Sequence, residues 1–187
     1  MRIISGKARG TKLYTLEGEN TRPTLDRVKE SIFNIIQSEI EGSKILDLFA
    51  GSGAIGLEFL SRGAESVIFC DNSKEAINII KKNIEKTHME GKAQVLNLDF
   101  EKCLENNAKE KFDIIYLDPP YNTNYIYKAI NKILELNIAK EKCLIIIETD
   151  DEKRIEQEIK NTEIEIVDKR KYGRATIIFL KKPERGK

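Results

Sequence analysis

Five short apolar runs punctuate the chain from residue 44 onward: Ile45–Phe49, Val67–Cys70, Val95–Leu98, Ile114–Leu117 and Leu144–Ile147. Each is a continuous stretch of branched and aromatic residues, the pattern of strands buried on both faces. Between them, apolar positions recur at helical spacing around Ile55–Leu60, Ile77–Ile84, Ile126–Leu136 and Ile155–Ile159. This alternation predicts an α/β fold, a doubly wound parallel sheet with right-handed crossovers. After it, Ile164–Val167 and Ala175–Leu180 flank Tyr172-Gly173-Arg174, which predicts a terminal hairpin.

The start of the chain follows another pattern. Arg2–Ser5 and Thr11–Tyr14 read as two short strands around the basic loop Gly6-Lys7-Ala8-Arg9-Gly10. Thr24 is the expected N-cap of a helix, because Pro23 blocks an earlier start. Leu25, Val28, Ile32, Phe33, Ile35 and Ile36 would share its apolar face, with Asp26 in the first turn. The expected organisation is one domain over 1–187, a hairpin and helix extension (1–40) leading into the core (41–187).

Composition fits this and narrows the class. With 187 residues, 40% hydrophobic and 34% charged, the chain can bury a core without a disulfide or metal, and it is too apolar for disorder. No apolar run approaches the ~20 residues of a membrane span. Cys70, Cys103 and Cys143 are odd in number and lack a CxxC spacing, so reduced buried thiols and a cytoplasmic location are expected. No metal-ligand spacing is present, and His88, the one histidine, sits in a polar stretch that reads as a solvated loop. The net charge of +1 is unevenly spread: residues 1–14 carry +4 and residues 169–187 carry +7, which leaves −10 between them. Basic ends on an acidic body suit a polyanion outside and a cation within, and read equally as solvated, frayed termini.

The candidate chemistry lies at the carboxyl ends of successive strands, where open α/β sheets bind ligands. Asp47-Leu48-Phe49-Ala50-Gly51-Ser52-Gly53-Ala54-Ile55-Gly56 reads as a strand end, a Gly-rich turn and a helix start. Asp71, followed by Asn72, ends the next strand at the distance from Gly51 expected of a ribose-binding acid. Gly51-x-Gly53-x-x-Gly56 also matches a dinucleotide fingerprint, so a nicotinamide-dependent oxidoreductase stays open. Asp47 favours another ligand: its charge would repel a pyrophosphate and attract the ammonium and sulfonium of S-adenosyl-L-methionine. It reads also as a turn cap. Asp99 could accept from an adenine amino group with Phe100 beside the ring, or could simply cap a strand end.

Asp118-Pro119-Pro120-Tyr121 follows the buried run Ile114–Leu117. The prolines remove two N–H donors and stiffen the backbone, leaving carbonyls free to accept. A carboxylate, a rigid carbonyl and an aromatic face suit a planar group that bears an –NH2. Asp118 and the Pro119 carbonyl would take its two hydrogens while Tyr121 stacks on a flipped base.

Taken together, Arg2–Gly10, Thr21–Glu30, Leu46–Gly53, Asp118–Tyr121 and Lys171-Tyr172-Gly173 resemble the RNA small-subunit methyltransferase D family, the guanine-966 N2-methyltransferases of 16S rRNA (the number belongs to the RNA). The resemblance spans nearly the whole chain, and the two N-terminal motifs make it specific. It implies a class I, Rossmann-like sheet of seven strands with the last antiparallel, and S-adenosyl-L-methionine as methyl donor. Asp47, Phe49–Gly53, Gly56, Asp71, Asn72, Asp99 and Phe100 would hold the donor, and Asp118–Tyr121 the target amino group. The substrate would be 16S rRNA within the small ribosomal subunit or an assembly intermediate. Its phosphates would meet Arg2, Lys7, Arg9, Lys12, Arg22, Thr24, Arg27 and the Lys169–Arg174 cluster, Lys171 and Arg174 above all. No metal or membrane is implied, and a monomer is expected. One departure stands out: where the family often has a second acid two positions after Asp71, this chain has Ser73. Methylation of DNA adenine N6 or of a protein glutamine N5, and RNA binding without catalysis, remain rival readings.

Overall fold

A computed structural model of the chain describes residues 1–16 and 23–182, with residues 23–25 described by their backbone alone. Helix α1 (Pro23–Ile35) leads into β1 (Lys44–Asp47), α2 (Ala54–Ser61), β2 (Ser66–Asp71), α3 (Lys74–Thr87) and β3 (Ala93–Asn97). The second half runs α4 (Phe100–Asn106), β4 (Phe112–Leu117), α5 (Tyr125–Glu135), β5 (Ala139–Thr149), α6 (Glu152–Ile159), β6 (Glu165–Tyr172) and β7 (Ala175–Lys181). The strands form one sheet in the order β3-β2-β1-β4-β5-β7-β6. β7 is antiparallel to both its neighbours, and every other pairing is parallel. The order reverses between β1 and β4, the switch point at which such sheets open a crevice.

Successive strand residues feed opposite layers. Ile45, Ile114, Tyr116 and Ile146 pack under α1, α2 and α3, whereas Leu46, Ile115, Leu117 and Ile147 pack against α4, α5 and α6. This double burial is why the strands read as unbroken apolar runs. All three thiols are free and buried, as expected. No helix of the described residues is long and apolar enough to cross a membrane.

Several details differ from the sequence expectations, each for a local reason. Pro23 itself opens α1, in the first turn where its missing N–H costs nothing, so Thr24 is not the N-cap. Ile35 faces solvent, while Ile32, Phe33 and Ile36 are buried. β1 stops at Asp47 instead of Phe49, because Leu48 and Ala50 donate to Tyr116 and Cys70 as the chain leaves the sheet. α4 went unanticipated: Asp99 caps it by accepting from Lys102 N–H, and Phe100, Cys103 and Leu104 are its short buried stripe. The N-terminal arms meet at a single antiparallel bridge, Arg2 to Lys12, rather than as full strands. β6 extends to Tyr172, and Val167 is exposed where its pairing with β7 shifts register.

Glu58 joins this N-terminal segment to the sheet. It lies on α2, whose residues are nearly all buried, and is itself fully buried. Its carboxylate accepts from the Ile4 and Ser5 amides at 2.8 and 3.0 Å, from Arg62 Nε at 2.8 Å, and pairs with Lys29 Nζ at 3.2 Å. Glu58→Ala takes the counter-charge from a buried lysine and the acceptor from two amides, and should cost about 3–5 kcal/mol. A urea titration reads the loss, and hydrogen exchange at Ile4 and Ser5 should accelerate with it; an unchanged midpoint would show the network to be dispensable.

Candidate active site

Asp47 ends β1 almost fully buried, and its Oδ2 accepts from Gly56 N–H at 3.1 Å. The carboxylate is thus both the turn cap and a charge held at the crevice floor. Burial pushes its pKa up to about 7; the Gly56 hydrogen bond opposes this and the nearby charge of Asp71 adds to it. The turn that follows requires glycine. Gly53 sits at φ +80°, a conformation side chains resist, as the N-cap of α2. Gly56 is needed for space: a Cβ there would lie 2.2 Å from the Phe69 ring. Gly56 therefore serves packing and Asp47, and it does not line the cavity.

Asp71 ends β2 with both oxygens engaged. Oδ2 accepts from Gly51 N–H and Oδ1 from Ser73 N–H, each at 2.9 Å. Ser73 in turn caps α3 through its hydroxyl, so the helix start keeps its side-chain cap although the second acid is missing. Asp99 is half exposed, close to Lys102, and its hydrogen bond to the Lys102 amide holds its pKa below the usual carboxylate range. Phe49, Phe100 and Tyr125 form a ring cluster beyond the turn, with centroids 5.0–6.2 Å apart.

A cavity opens at the switch point, lined by Asp47, Phe49, Ala50, Gly51, Ser52 and Asp118 among the anticipated residues. Its roof is Met1, Val28, Lys29 and Ile32, and its far wall is Tyr116 and Glu148. The sequence marks none of these six as site residues, Val28 and Ile32 being expected only on the apolar face of α1. Met1 and α1 arrive from the N-terminal segment, and the wall is set by strand register. Pro119, Pro120 and Tyr121 line an adjoining cleft that shares Glu148. Asp71, Asn72, Asp99 and Phe100 do not line the cavity, although Asp71 is tied to its floor through Gly51.

Tyr116 is fully buried and donates to Glu148 Oε2 at 3.2 Å. Desolvation raises both groups, and the neighbouring carboxylates of Glu148, Asp118 and Asp47 raise Tyr116 further. Burial also raises Tyr121, whose ring remains half exposed. Lys29 is buried against Glu58, and desolvation lowers its pKa.

A family model described as Conserved hypothetical protein 95 matches residues 1–181. The Haemophilus influenzae protein named Ribosomal RNA small subunit methyltransferase D is 43% identical over 157 residues, covering 82% of this chain and 80% of its own. The chain belongs to the ribosomal RNA small subunit methyltransferase D family. Two solved structures similar to it are yhhF from Escherichia coli (28% identical, TM-score 0.85, 99% of each chain) and HI0767 from Haemophilus influenzae (34%, TM-score 0.82, 98% of each). The fold is the class I methyltransferase sheet that the resemblance implied.

The basic residues divide over two grooves beside the family's N-terminal motif. Arg2, Arg9 and Arg27 line one, next to Asp26 and Glu30; Lys7 lines another with Arg62 and Lys92. Arg2 is 3.5 Å from Asp26. Lys12 is paired through its backbone to Arg2. Lys171 and Arg174 flank the β6–β7 turn, where the Tyr172 hydroxyl meets Ser31 of α1 at 2.5 Å. In the same cluster, Lys169 is ion-paired to Glu152 and Glu156, and Arg170 to Asp168. Arg22 and the Thr24 side chain lie outside the described residues.

Asp47 makes the site testable by pH alone. Its folded pKa lies above the unfolded value, so the folded state keeps its proton longer and stability falls as pH rises from about 4 to 7. Carboxyl NMR should show a midpoint near 7 that Asp71→Asn lowers, and Asp47→Asn should flatten the thermal-midpoint profile over that window. A midpoint below 5 would show that the carboxylate is solvated.

Proposed function

We propose that the protein transfers a methyl group from S-adenosyl-L-methionine to the exocyclic N2 amino group of a guanine in 16S rRNA of the small ribosomal subunit. The single observation that carries this reading is the meeting of Asp47 and Asp118 in one cavity at the switch point. One carboxylate suits a cationic donor, and the other begins the stiff Asp-Pro-Pro-Tyr segment that suits a planar amino group. Family membership supplies the RNA substrate: the relative at 43% identity is named for small-subunit rRNA.

The residues present fit the donor. Asp47, poised near neutrality, becomes fully charged when a cation lies beside it, which strengthens the attraction it offers. Gly51, held by Asp71, keeps the turn shaped, and Phe49, Ala50 and Ser52 give the cavity its lining. Asp71 and Asn72 would face the ribose. Asp99 and Phe100, at the start of α4, would meet the adenine. When bound, S-adenosyl-L-methionine supplies an electrophilic methyl group on sulfur.

Asp118 and the Pro119 carbonyl each accept a hydrogen from the target amino group, which turns the nitrogen lone pair out of conjugation. Tyr121 stacks on the flipped base, and Pro119 and Pro120 keep the carbonyl from moving. The proton lost after transfer leaves along the hydrogen bond to Asp118. Most of the acceleration comes from holding nitrogen, carbon and sulfur in line. Arg2, Lys7, Arg9, Lys12, Arg27, Lys171 and Arg174, with Arg22 and Thr24 beside them, place the phosphates. Specificity then comes from the shape of the folded RNA or subunit. The working form in this reading is a cytoplasmic monomer that needs no metal.

The deciding experiment is nucleoside mass spectrometry after incubation with S-adenosyl-L-methionine and unmodified small subunits, naked 16S rRNA or duplex DNA. N2-methylguanosine should form at one site, best in the subunit, and less with rising salt. N6-methyladenine in DNA would overturn the substrate assignment. Asp118→Ala should lower methyl transfer by about 10²-fold or more while donor affinity stays within about threefold. Asp71→Ala should weaken donor binding first. Equal loss of binding in both variants would sink this division of roles.

A further inference from the structure

The cavity wall contains a carboxylate that this mechanism does not use. β4 and β5 run parallel with Tyr116 opposite Ile146 and Leu117 opposite Ile147. The next residues along the two chains, Asp118 and Glu148, therefore emerge on the same face of neighbouring strands, which are about 4.8 Å apart. Both line the cavity beneath Lys29, and Glu148 alone of the two also lines the cleft that holds Pro119–Tyr121. Glu148 thus stands where the donor cavity and the Asp-Pro-Pro-Tyr cleft meet.

Its position is held from below. Tyr116 is fully buried two residues before Asp118, and its hydroxyl donates to Glu148 Oε2. A single phenol leaves a two-oxygen carboxylate with lone pairs to spare. Burial already disfavours the charge, and Tyr116 is the hydrogen bond that opposes this. Another N–H donor from the cavity would stabilise the anion further.

We propose that Glu148 is a specificity-determining residue that accepts the N1–H of the target guanine, an assignment that rests on the amino-guanine reading above. On the edge of guanine the N2 amino group and N1–H are adjacent donors. With the amino hydrogens on Asp118 and the Pro119 carbonyl, N1–H is the next donor along the edge, directed toward the neighbouring strand. Adenine presents a bare N1 lone pair beside its amino group, which an anionic carboxylate repels. One glutamate on β5 therefore admits guanine and rejects adenine, although both carry an exocyclic –NH2. A site built to pair a donor discriminates strongly against an analogue that lacks it, because its own acceptor is left unpaired.

The test compares kcat/KM for reconstituted small subunits carrying guanine or 2-aminopurine at the mapped position. 2-Aminopurine keeps the amino group and loses N1–H. Wild type should prefer guanine by about 10²-fold, and Glu148→Gln, whose amide can donate to a bare N1, should shrink the preference at least tenfold. Tyr116→Phe keeps the carboxylate and should keep the preference. Equal slowing of both substrates in Glu148→Gln, with the ratio intact, would reduce Glu148 to a support for Tyr116 and overturn the proposal. A wild-type ratio near one overturns it without any variant. Absence of methyl on guanine N2 in wild type instead defeats the underlying reading, and the assignment falls with it.

Discussion

Glu58 lies on a helix that has almost no solvent-facing side, so its charge must be answered by whatever packs around it. The answer comes from three parts of the chain: the Ile4 and Ser5 amides, Lys29 on α1, and Arg62 at the C-cap of α2. A buried carboxylate costs several kcal/mol unless its partners are well placed. That cost fixes where the N-terminal loop and α1 can sit. The roof of the cavity, Met1, Val28, Lys29 and Ile32, follows from this placement. Without it the strand ends would form an open crevice with no lid over Asp47 and Asp118.

The sheet below is shaped by a second constraint, the burial of both its faces. Once β1 and β4 are neighbours, Asp47 and the Asp118 segment come together at one end, and register carries Glu148 in beside them. Burial raises Asp47 and Glu148 in the free protein, while Asp118 stands at the exposed mouth of the same cavity. A cationic donor and an N–H-rich base edge are the partners that relieve such a cluster. The pocket carries unfavourable charge that the proposed ligands are suited to neutralise.

How much of this was legible depended on whether the signal was local. Strands buried on both faces announce themselves as apolar runs, and the Asp47–Gly56 turn follows β1 directly, so sheet and turn could be read in order. Asp118 was legible because two prolines mark the place. Glu148 was not, since nothing adjacent to it in sequence distinguishes it from the other acids of an acidic body; its meaning comes from pairing with β4. The partners of Lys169 were hidden in the same way, because Glu152 and Glu156 lie on α6 and come beside it only in the fold. α4 had a readable signal, Asp99 as cap with Phe100, Cys103 and Leu104 at helical spacing, but seven residues are few for periodicity to stand out. Ser73 shows the opposite case: where the family often has a second acid, the serine hydroxyl itself supplies the helix cap.

The contact between Tyr172 and Ser31 spans 141 positions and ties α1 to the final hairpin. Synthesis from the N-terminus makes α1 well before the tyrosine that meets it, because β6 follows five strands of the sheet. The roof gains this tether only after β1 to β5 and their helices have been made. The strand ends of the site thus exist before the contact that holds its cover. A truncated product would carry the glycine turn and the Asp-Pro-Pro-Tyr segment, but would lack the clasp that holds the roof above them.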